Sequence, residues 1–236
     1  AYVLYTAYPF FPSHTVHLVV VDPGVGSPRR PIALRTPAGF FVGPDNGVFS
    51  YVMAHQTAVE VVELADLRYR LPQVSHTFHG RDVFAPAAAH LAAGVPLDAL
   101  GPPVGDPLTF PPPRLKVATG EVTGEVLHTD RFGNAITSIG RLTWQGDALS
   151  LEPAFGAART EGAPSGERES FEAAKAVVMA GGRKIDGVRR TYADVGYGEV
   201  LALVGSEAHL EIAIREGNAA QRLGLRPGDA VKLRLR

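Results

Sequence analysis

Cysteine is absent from the 236 residues. Disulfides, thiolate nucleophiles and cysteine-ligated zinc are therefore excluded. Lysine is scarce: Lys116, Lys175, Lys184 and Lys232 are the only ones, so arginine carries almost all the positive charge. No basic run exceeds the pairs Arg29-Arg30 and Arg189-Arg190, and the formal net charge is -1. Neither nucleic acid nor an anionic membrane is favoured as a partner. No apolar stretch approaches the roughly 20 residues that span a bilayer, and no signal peptide is visible. The expectation is a soluble, cytoplasmic enzyme. Hydrophobic residues at 45% and charged residues at 20% argue against disorder. The missing cysteine, the 19 prolines and the arginine excess fit a thermophile, and fit a GC-rich genome equally well. The chain opens at Ala1 without a methionine, directly in structured-looking sequence, and upstream residues are expected to be missing.

What is present divides at a proline-rich stretch. Before it, strand and helix signals alternate. Val16–Val21 is a continuous β-branched and apolar run, expected as a strand buried on both faces, and Asp22-Pro23-Gly24 stops it. Ile32–Arg35 and Gly39–Val42 read as short strands around a turn at Pro37, and Val59–Leu64 as another strand; Gly47–His55 and Phe84–Ala93 read as helices, the second closed by Gly94. Alternation of this kind predicts a Rossmann-like α/β domain, residues 1–105, with a mostly parallel sheet. Gly101–Pro113 holds six prolines and two glycines, and residues 106–113 are expected to be the linker. Residues 114–236 are rich in short strands: Gly120–His128, Asn134–Ser138, Ala148–Leu151, Ala176–Val178, Val200–Val204, His209–Ile214 and Ala230–Arg236. They predict a small antiparallel β-barrel. Arg159–Ser170 is polar and reads as a loop of no assigned role, and Pro227-Gly228-Asp229 as a tight turn.

Five segments could carry chemistry. Asp22 follows an apolar strand, where ligand sites in α/β folds lie, and PGVGS after it lets a ligand approach the backbone. An Asx-type turn would use the same residues. Arg29 and Arg30 follow seven and eight positions later. His76-Thr-Phe-His79-Gly80-Arg81-Asp82 places a histidine and a glycine before a helix N-terminus, although a packed or capping histidine would look the same. A metal site from His76, His79 and Asp82 is disfavoured, because HxxH is not a helical face pair and no fourth ligand is evident. Asp45-Asn46-Gly47 reads as a turn or cap. In His128-Thr-Asp130-Arg-Phe132-Gly-Asn134, acid, ring and amide at spacing two suit a nucleoside or amino acid, and a bulged turn through Gly133 equally. Gly205-Ser206, with Glu211, lies between two strands.

Taken in order, VDPGVGSPRR, FVGPDNG, TFHGRDVFAPAAAHLAAG, HTDRFGNAITSI and LVGSEAHLEIAIREGNAA resemble the S-adenosyl-L-methionine hydrolase (hydroxide adenosyltransferase) family, a relative of the fluorinase and chlorinase that use the same substrate. The resemblance spans nearly the whole chain. It implies an α/β domain followed by a β-barrel, and a homotrimer whose substrate binds between the N-terminal domain of one subunit and the C-terminal domain of the next. It implies S-adenosyl-L-methionine as substrate, adenosine as product and no further cofactor. The water-activating set would be Asp22, Arg29 (Arg30 is adjacent) and His79. Asp130 and Asn134 would hold the methionine end and Phe132 would line the nucleoside pocket. Ser206, with Glu207 beside it, and Asn46 would lie near the adenine, and Gly80 would leave room beside the substrate. The halogenase branch carries Tyr-Pro-Ala-Thr where Asp22-Pro23-Gly24-Val25 stand, and Tyr-Ser where His79-Gly80 stand. The present residues therefore favour hydroxide over halide. A binding module without catalysis would keep Phe132 and Asn134 and not need the Asp22, Arg29 and His79 set. The family's ribose-binding Asp lies in an N-terminal strand and loop that would precede Ala1.

Overall fold

The computed structural model describes residues 1–155, 158–159 and 169–235. Most of the polar segment Arg159–Ser170 thus lies outside the described residues. The chain forms two compact units, residues 1–111 and 112–236.

In the first unit the strands are β1 (Thr15–Leu18), β2 (Pro31–Thr36), β3 (Gly39–Pro44) and β4 (Glu60–Glu63). They form one sheet in the order β1-β3-β2-β4. Only β1 and β3 run parallel; β2 is antiparallel to both β3 and β4. The mostly parallel, Rossmann-like sheet expected from the alternation of elements is therefore corrected to a mixed sheet. The cause is local: only Pro37 and Ala38 separate β2 from β3, and a connection that short can join only antiparallel strands.

Successive residues of these strands face two cores, as the pleat dictates. Ala33, Val42 and Val62 point toward one, with Phe84, Ala87 and Leu91. Ile32, Leu34, Phe41 and Val61 point toward the other, with Tyr8, Phe49 and Val52. The helices are α1 (Tyr2–Ala7), α2 (Ser50–His55) and α3 (Ala85–Ala92). A π-helical turn, Gly80–Phe84, runs into α3. The expected burial of Val16–Val21 on both faces is also corrected. The strand stops at Leu18 and forms the sheet's edge, leaving Val20 and Val21 42% and 66% exposed.

The proline-rich stretch is tied to this unit over much of its length. Glu63 N–H donates to Pro102 O, Val104 N–H to Val61 O, and Arg30 reaches Asp106. Leu108 N–H donates to the Asp45 carboxylate and Phe110 N–H to Ser50 Oγ.

The second unit contains β5 (Leu115–Ala118), β6 (Glu121–Thr129), β7 (Ala135–Gly140), β8 (Leu142–Gln145), β9 (Ala148–Leu151), β10 (Ala158–Arg159) and β11 (Glu169–Glu172). It continues with β12 (Val177–Ala180), β13 (Arg183–Asp186), β14 (Val188–Arg189), β15 (Val200–Val204), β16 (His209–Ile214), α4 (Ala219–Leu223) and β17 (Ala230–Arg234). The main sheet runs β13-β12-β17-β6-β7-β16-β15-β14, with β5 on β6 and β10 on β5. β13 lies against β15, so this sheet curls into a nearly closed barrel. It is antiparallel except for the short β14/β15 and β10/β5 pairs. Strands β11, β9 and β8 form a separate antiparallel sheet. Val122, Val126, Ile139, Leu149, Leu210 and Val231 anchor the shared core. Among the described residues, no helix is long and apolar enough to cross a membrane.

Candidate active site

Past Leu18 the chain makes one more bond to the sheet, Val19 N–H to Val42 O at 2.9 Å, and then leaves its edge. Two consecutive turns follow, Val25 N–H to Asp22 O and Ser27 N–H to Gly24 O. They fold the chain back so that Arg29 faces Asp22. Its Nε donates to Asp22 Oδ1 at 2.8 Å and its Nη2 to Oδ2. The pair is almost withdrawn from water, the side chains being 9% and 6% exposed. The guanidinium lies over the Phe84 ring, 5.2 Å from its centre. Arg30 turns the other way, to Asp45 at 2.8 Å and Asp106 at 2.6 Å. The structure therefore brings Arg29, and not Arg30, against Asp22.

The third member arrives from the head of the π turn. Arg29 Nη2 lies 2.9 Å from His79 Nδ1. Arginine can only donate, so Nδ1 must accept and the ring proton sits on Nε2. Burial, and then the Arg29 charge, hold His79 below the ordinary histidine value; Asp22 opposes them. His79 is thus a neutral imidazole whose remaining function is an Nε2–H donor. Its loop is pinned by Asp82, which is fully buried. Asp82 accepts from Ser75 N–H at 2.8 Å and from Arg81 Nε at 2.5 Å. The hydrogen bond from Arg81 and then that from Ser75 hold its carboxyl low. Among the described residues no group of three His, Asp or Glu is placed to hold a metal ion. At Gly80, a Cβ would stand 3.3 Å from Val20 Cγ1, so the missing side chain makes room for the strand end that leads to Asp22.

Asn46 also reaches that strand end. Its Nδ2 donates to Val21 O at 2.8 Å and its Oδ1 accepts from Val48 N–H at 3.2 Å. Both ends of the amide are thus engaged within the first unit.

The second unit carries its own polar cluster, at the β6–β7 turn. Asp130 Oδ1 accepts from the N–H groups of Phe132 and Asn134, each at 2.9 Å. Asn134 Nδ2 donates to Asp130 Oδ2 at 3.0 Å and to Tyr192 Oη at 3.2 Å. With both N–H groups so used, the amide turns its oxygen elsewhere. Phe132 is 64% exposed, with the Arg131 guanidinium 4.9 Å over its ring. Phe132, Asn134, Tyr192, Ile214, Gly217 and Asn218 line a cavity of about 510 Å³. Ser206 and Glu207 bond to each other at 3.4 Å in the β15–β16 turn, outside that lining.

Tyr192 is not among the residues the sequence singles out, and Glu211 is singled out there only beside Gly205-Ser206. Glu211 is pushed up to about 7, first by burial and then by the Asp130 charge, against a hydrogen bond from Tyr192. Its carboxyl presses so closely on Gly205 that a Cβ there would stand 1.7 Å from Oε1. A sequence signal for Tyr192 did exist. Thr191 and Asp194 form a capping box, whose S/T-x-x-acid spacing marks Tyr192 as the first residue of a helical turn.

A carboxyl whose folded pKa is raised binds more protons folded than unfolded. Its burden on stability is absent below the unfolded value, near pH 4.5, and grows as pH rises to about 7. Glu211→Gln should therefore raise Tm at pH 8 and leave it unchanged at pH 4. Discounted for the group's partial solvent access, the gain is about 1 kcal/mol, roughly 2–4 °C. Thermal melts at the two pH values check this; an equal shift at both would refute it.

Residues 1–101 match the family model described as the SAM hydroxide adenosyltransferase N-terminal domain, and residues 124–232 match that of the C-terminal domain. An (R)-S-adenosyl-L-methionine hydrolase of Thermus thermophilus is 40% identical, over 99% of this chain and 81% of its own length. Its counterpart in Salinispora tropica is 39% identical over 99% and 79%. A fluorinase of Actinopolyspora mzabensis is more distant, 31% identical over 56% of this chain and 53% of its own. The crystal structure of an uncharacterized conserved protein from Thermotoga maritima superposes with a TM-score of 0.77 at 32% identity, covering 98% of this chain and 81% of that one. This chain belongs to the SAM hydroxide adenosyltransferase family.

Proposed function

We propose that the protein hydrolyses S-adenosyl-L-methionine to adenosine and L-methionine, with Asp22, Arg29 and His79 holding the water that attacks C5′. The observation that carries this reading is Arg29 bonded at once to Asp22 and to His79, at 2.8 and 2.9 Å, with the Arg29 and Asp22 side chains almost withdrawn from water. The relatives named as hydrolases, at about 40% identity over the whole chain, support it.

The substrate's sulfonium is already a good leaving group, so the enzyme needs a placed nucleophile more than an acid. The C5′–O bond forms as the C5′–S bond breaks, and its electron pair goes to sulfur to give the neutral thioether of methionine. Asp22 is the acceptor-only member of the set; its spare lone pairs take a water O–H and then the proton, which passes to solvent. Arg29 and the Nε2–H of His79 are donors suited to negative charge developing on that oxygen. Alignment alone supplies several kcal/mol of the barrier, up to about 7–11 in favourable intramolecular cases.

In the second unit, Asp130 and Asn134 are assigned to the methionine end, Phe132 to the nucleoside pocket, and Ser206 with Glu207 to the adenine. Gly80 is assigned a place beside the substrate. The assembly inferred from the resemblance is a homotrimer in which each substrate touches residues of two subunits. Light scattering should then give three times the mass of the chain.

The deciding experiment is incubation with S-adenosyl-L-methionine and chromatography of the products, with and without chloride or fluoride. Adenosine and methionine in both arms support the reading; a 5′-halo-nucleoside would replace it with a halogenase, and intact substrate after hours with a binding module. The pH profile gives a second check. Only neutral His79 can accept from Arg29, and burial with the Arg29 charge holds it below the ordinary histidine value near 6.5. Turnover should therefore persist below pH 6.5 and fall only as acid reaches that lowered value. An acid limb at pH 7 or above would contradict the assignment.

A further inference from the structure

We propose that Asn46 is a positioning residue for Asp22, acting through the carbonyl of Val21; the inference rests on the assignment of Asp22 to the reacting water. The strand that delivers Asp22 ends early. After the Val19 N–H bond to Val42, the main chain of residues 20–22 leaves the sheet with Val20 and Val21 exposed. Among the described residues, one hydrogen bond from another element holds this stretch: Asn46 Nδ2 to Val21 O, at 2.8 Å.

Asn46 itself sits on a braced turn. Its N–H donates to Pro44 O at 3.0 Å, and its Oδ1 receives Val48 N–H at 3.2 Å. The neighbouring Asp45 is buried and takes Arg30 Nε at 2.8 Å and Leu108 N–H at 2.7 Å.

These bonds close a ring. Three peptide-linked pairs, Val21-Asp22, Arg29-Arg30 and Asp45-Asn46, are joined by three side-chain contacts: Asp22 to Arg29, Arg30 to Asp45, and Asn46 to Val21. Two of the contacts are ion pairs, and the third is the amide. Removing the amide opens the ring at the point next to the proposed base, while both ion pairs remain. A small displacement of a group that aligns a nucleophile is expensive: about 1 Å can cost on the order of 10²-fold in rate.

This separates Asn46 from a residue that merely touches the adenine. A ligand contact would show in affinity, and a positioning residue shows in turnover. The experiment is a double-mutant cycle on the full chain with Asn46→Ala, Asp22→Asn and the pair. Turnover of S-adenosyl-L-methionine is measured together with calorimetric binding of adenosine. The expected result is a 10- to 100-fold loss of kcat in Asn46→Ala, adenosine affinity within about twofold of the parent, and no further loss when Asp22→Asn is already present. Asn46→Ser, a shorter hydroxyl donor, should recover part of the loss. Unchanged kcat, or weakened adenosine binding with kcat intact, would overturn the proposal. So would full additivity of the two changes, which would mark a merely structural role.

If the unsubstituted protein leaves the substrate intact, it is the hydrolase reading that fails. The placement is then read from the ¹³C carboxyl resonance of labelled Asp22, which Asn46→Ala must shift; an unmoved resonance would overturn the inference on its own.

Discussion

Asp22→Asn should reduce kcat by on the order of 10²–10⁴-fold while leaving KM close to its original value. The change is nearly isosteric, so shape is preserved and three other things are lost. The acceptor-only group becomes an amide whose Nδ2 would point a donor at Arg29 Nη2, itself a donor. The proton released by the water no longer has a basic oxygen beside it. And the guanidinium, only 9% exposed, is left without its counter-charge. Removing one partner of a buried pair typically costs about 3–5 kcal/mol, because the other charge stays desolvated. Two readouts should therefore move together, turnover in a purified cleavage assay and the denaturant midpoint of the first unit's unfolding. Asp22→Asn protein with unchanged kcat would remove Asp22 from the mechanism altogether.

Arg29→Met should produce a loss of the same order and, in addition, move the acid limb of the pH profile upward. Methionine keeps an apolar stem against Phe84 but carries no charge and no donor. Of the influences on His79, burial and the Arg29 charge lower its pKa, and the Asp22 charge raises it. Deleting Arg29 removes one lowering influence and leaves the raising one, so the imidazole protonates at higher pH. Arg29→Lys separates the two roles. An ammonium restores the point charge, and should bring the acid limb back toward its original position. It cannot bond both oxygens of Asp22 and Nδ1 of His79 in one plane, so most of the rate loss should remain. A profile from pH 4.5 to 8 on the three proteins tests both statements. A limb in Arg29→Met that stays in place would show that the arginine does not tune the histidine.

Asp22 stands out as a candidate because an apolar run ends there in an acid and a small-residue loop, and His79 because a glycine and a helix start follow it. A turn and a packed histidine would look the same, and their joint role comes only from the family resemblance. The choice of Arg29 over Arg30 was not decidable from composition. It depends on how two turns between Asp22 and Ser27 return the chain, which sends adjacent arginines to opposite sides. Strand positions in both units were readable from β-branched runs, but strand direction was not. The parallel expectation follows from the general alternation of strands and helices, and it overlooks that the short turn at Pro37 leaves β2 and β3 no alternative to a hairpin. The outward run at Val20 and Val21 was read as buried because hydropathy does not distinguish a central strand from the edge of a sheet. The meeting of Tyr192 with Asn134 lay beyond reach for a different reason. Tyr192 is 58 residues from Asn134, and that contact exists only once the barrel has formed.

The ring of three residue pairs has a consequence for how the sequence can change. A substitution at Asp22, Arg30 or Asn46 should be felt at positions far along the chain, since each contact closes a path through the other two. Single changes should be rejected, and tolerated variation should come as compensating pairs: an exchanged ion pair at positions 30 and 45, or a different side-chain donor at 46 accompanied by a reshaped turn after 21. On the proposed assignment, the transferable unit is not the acid, the guanidinium and the imidazole alone. It is those groups together with the turn that begins at Asp45, and a scaffold given only the first three would lack the means to hold them in register.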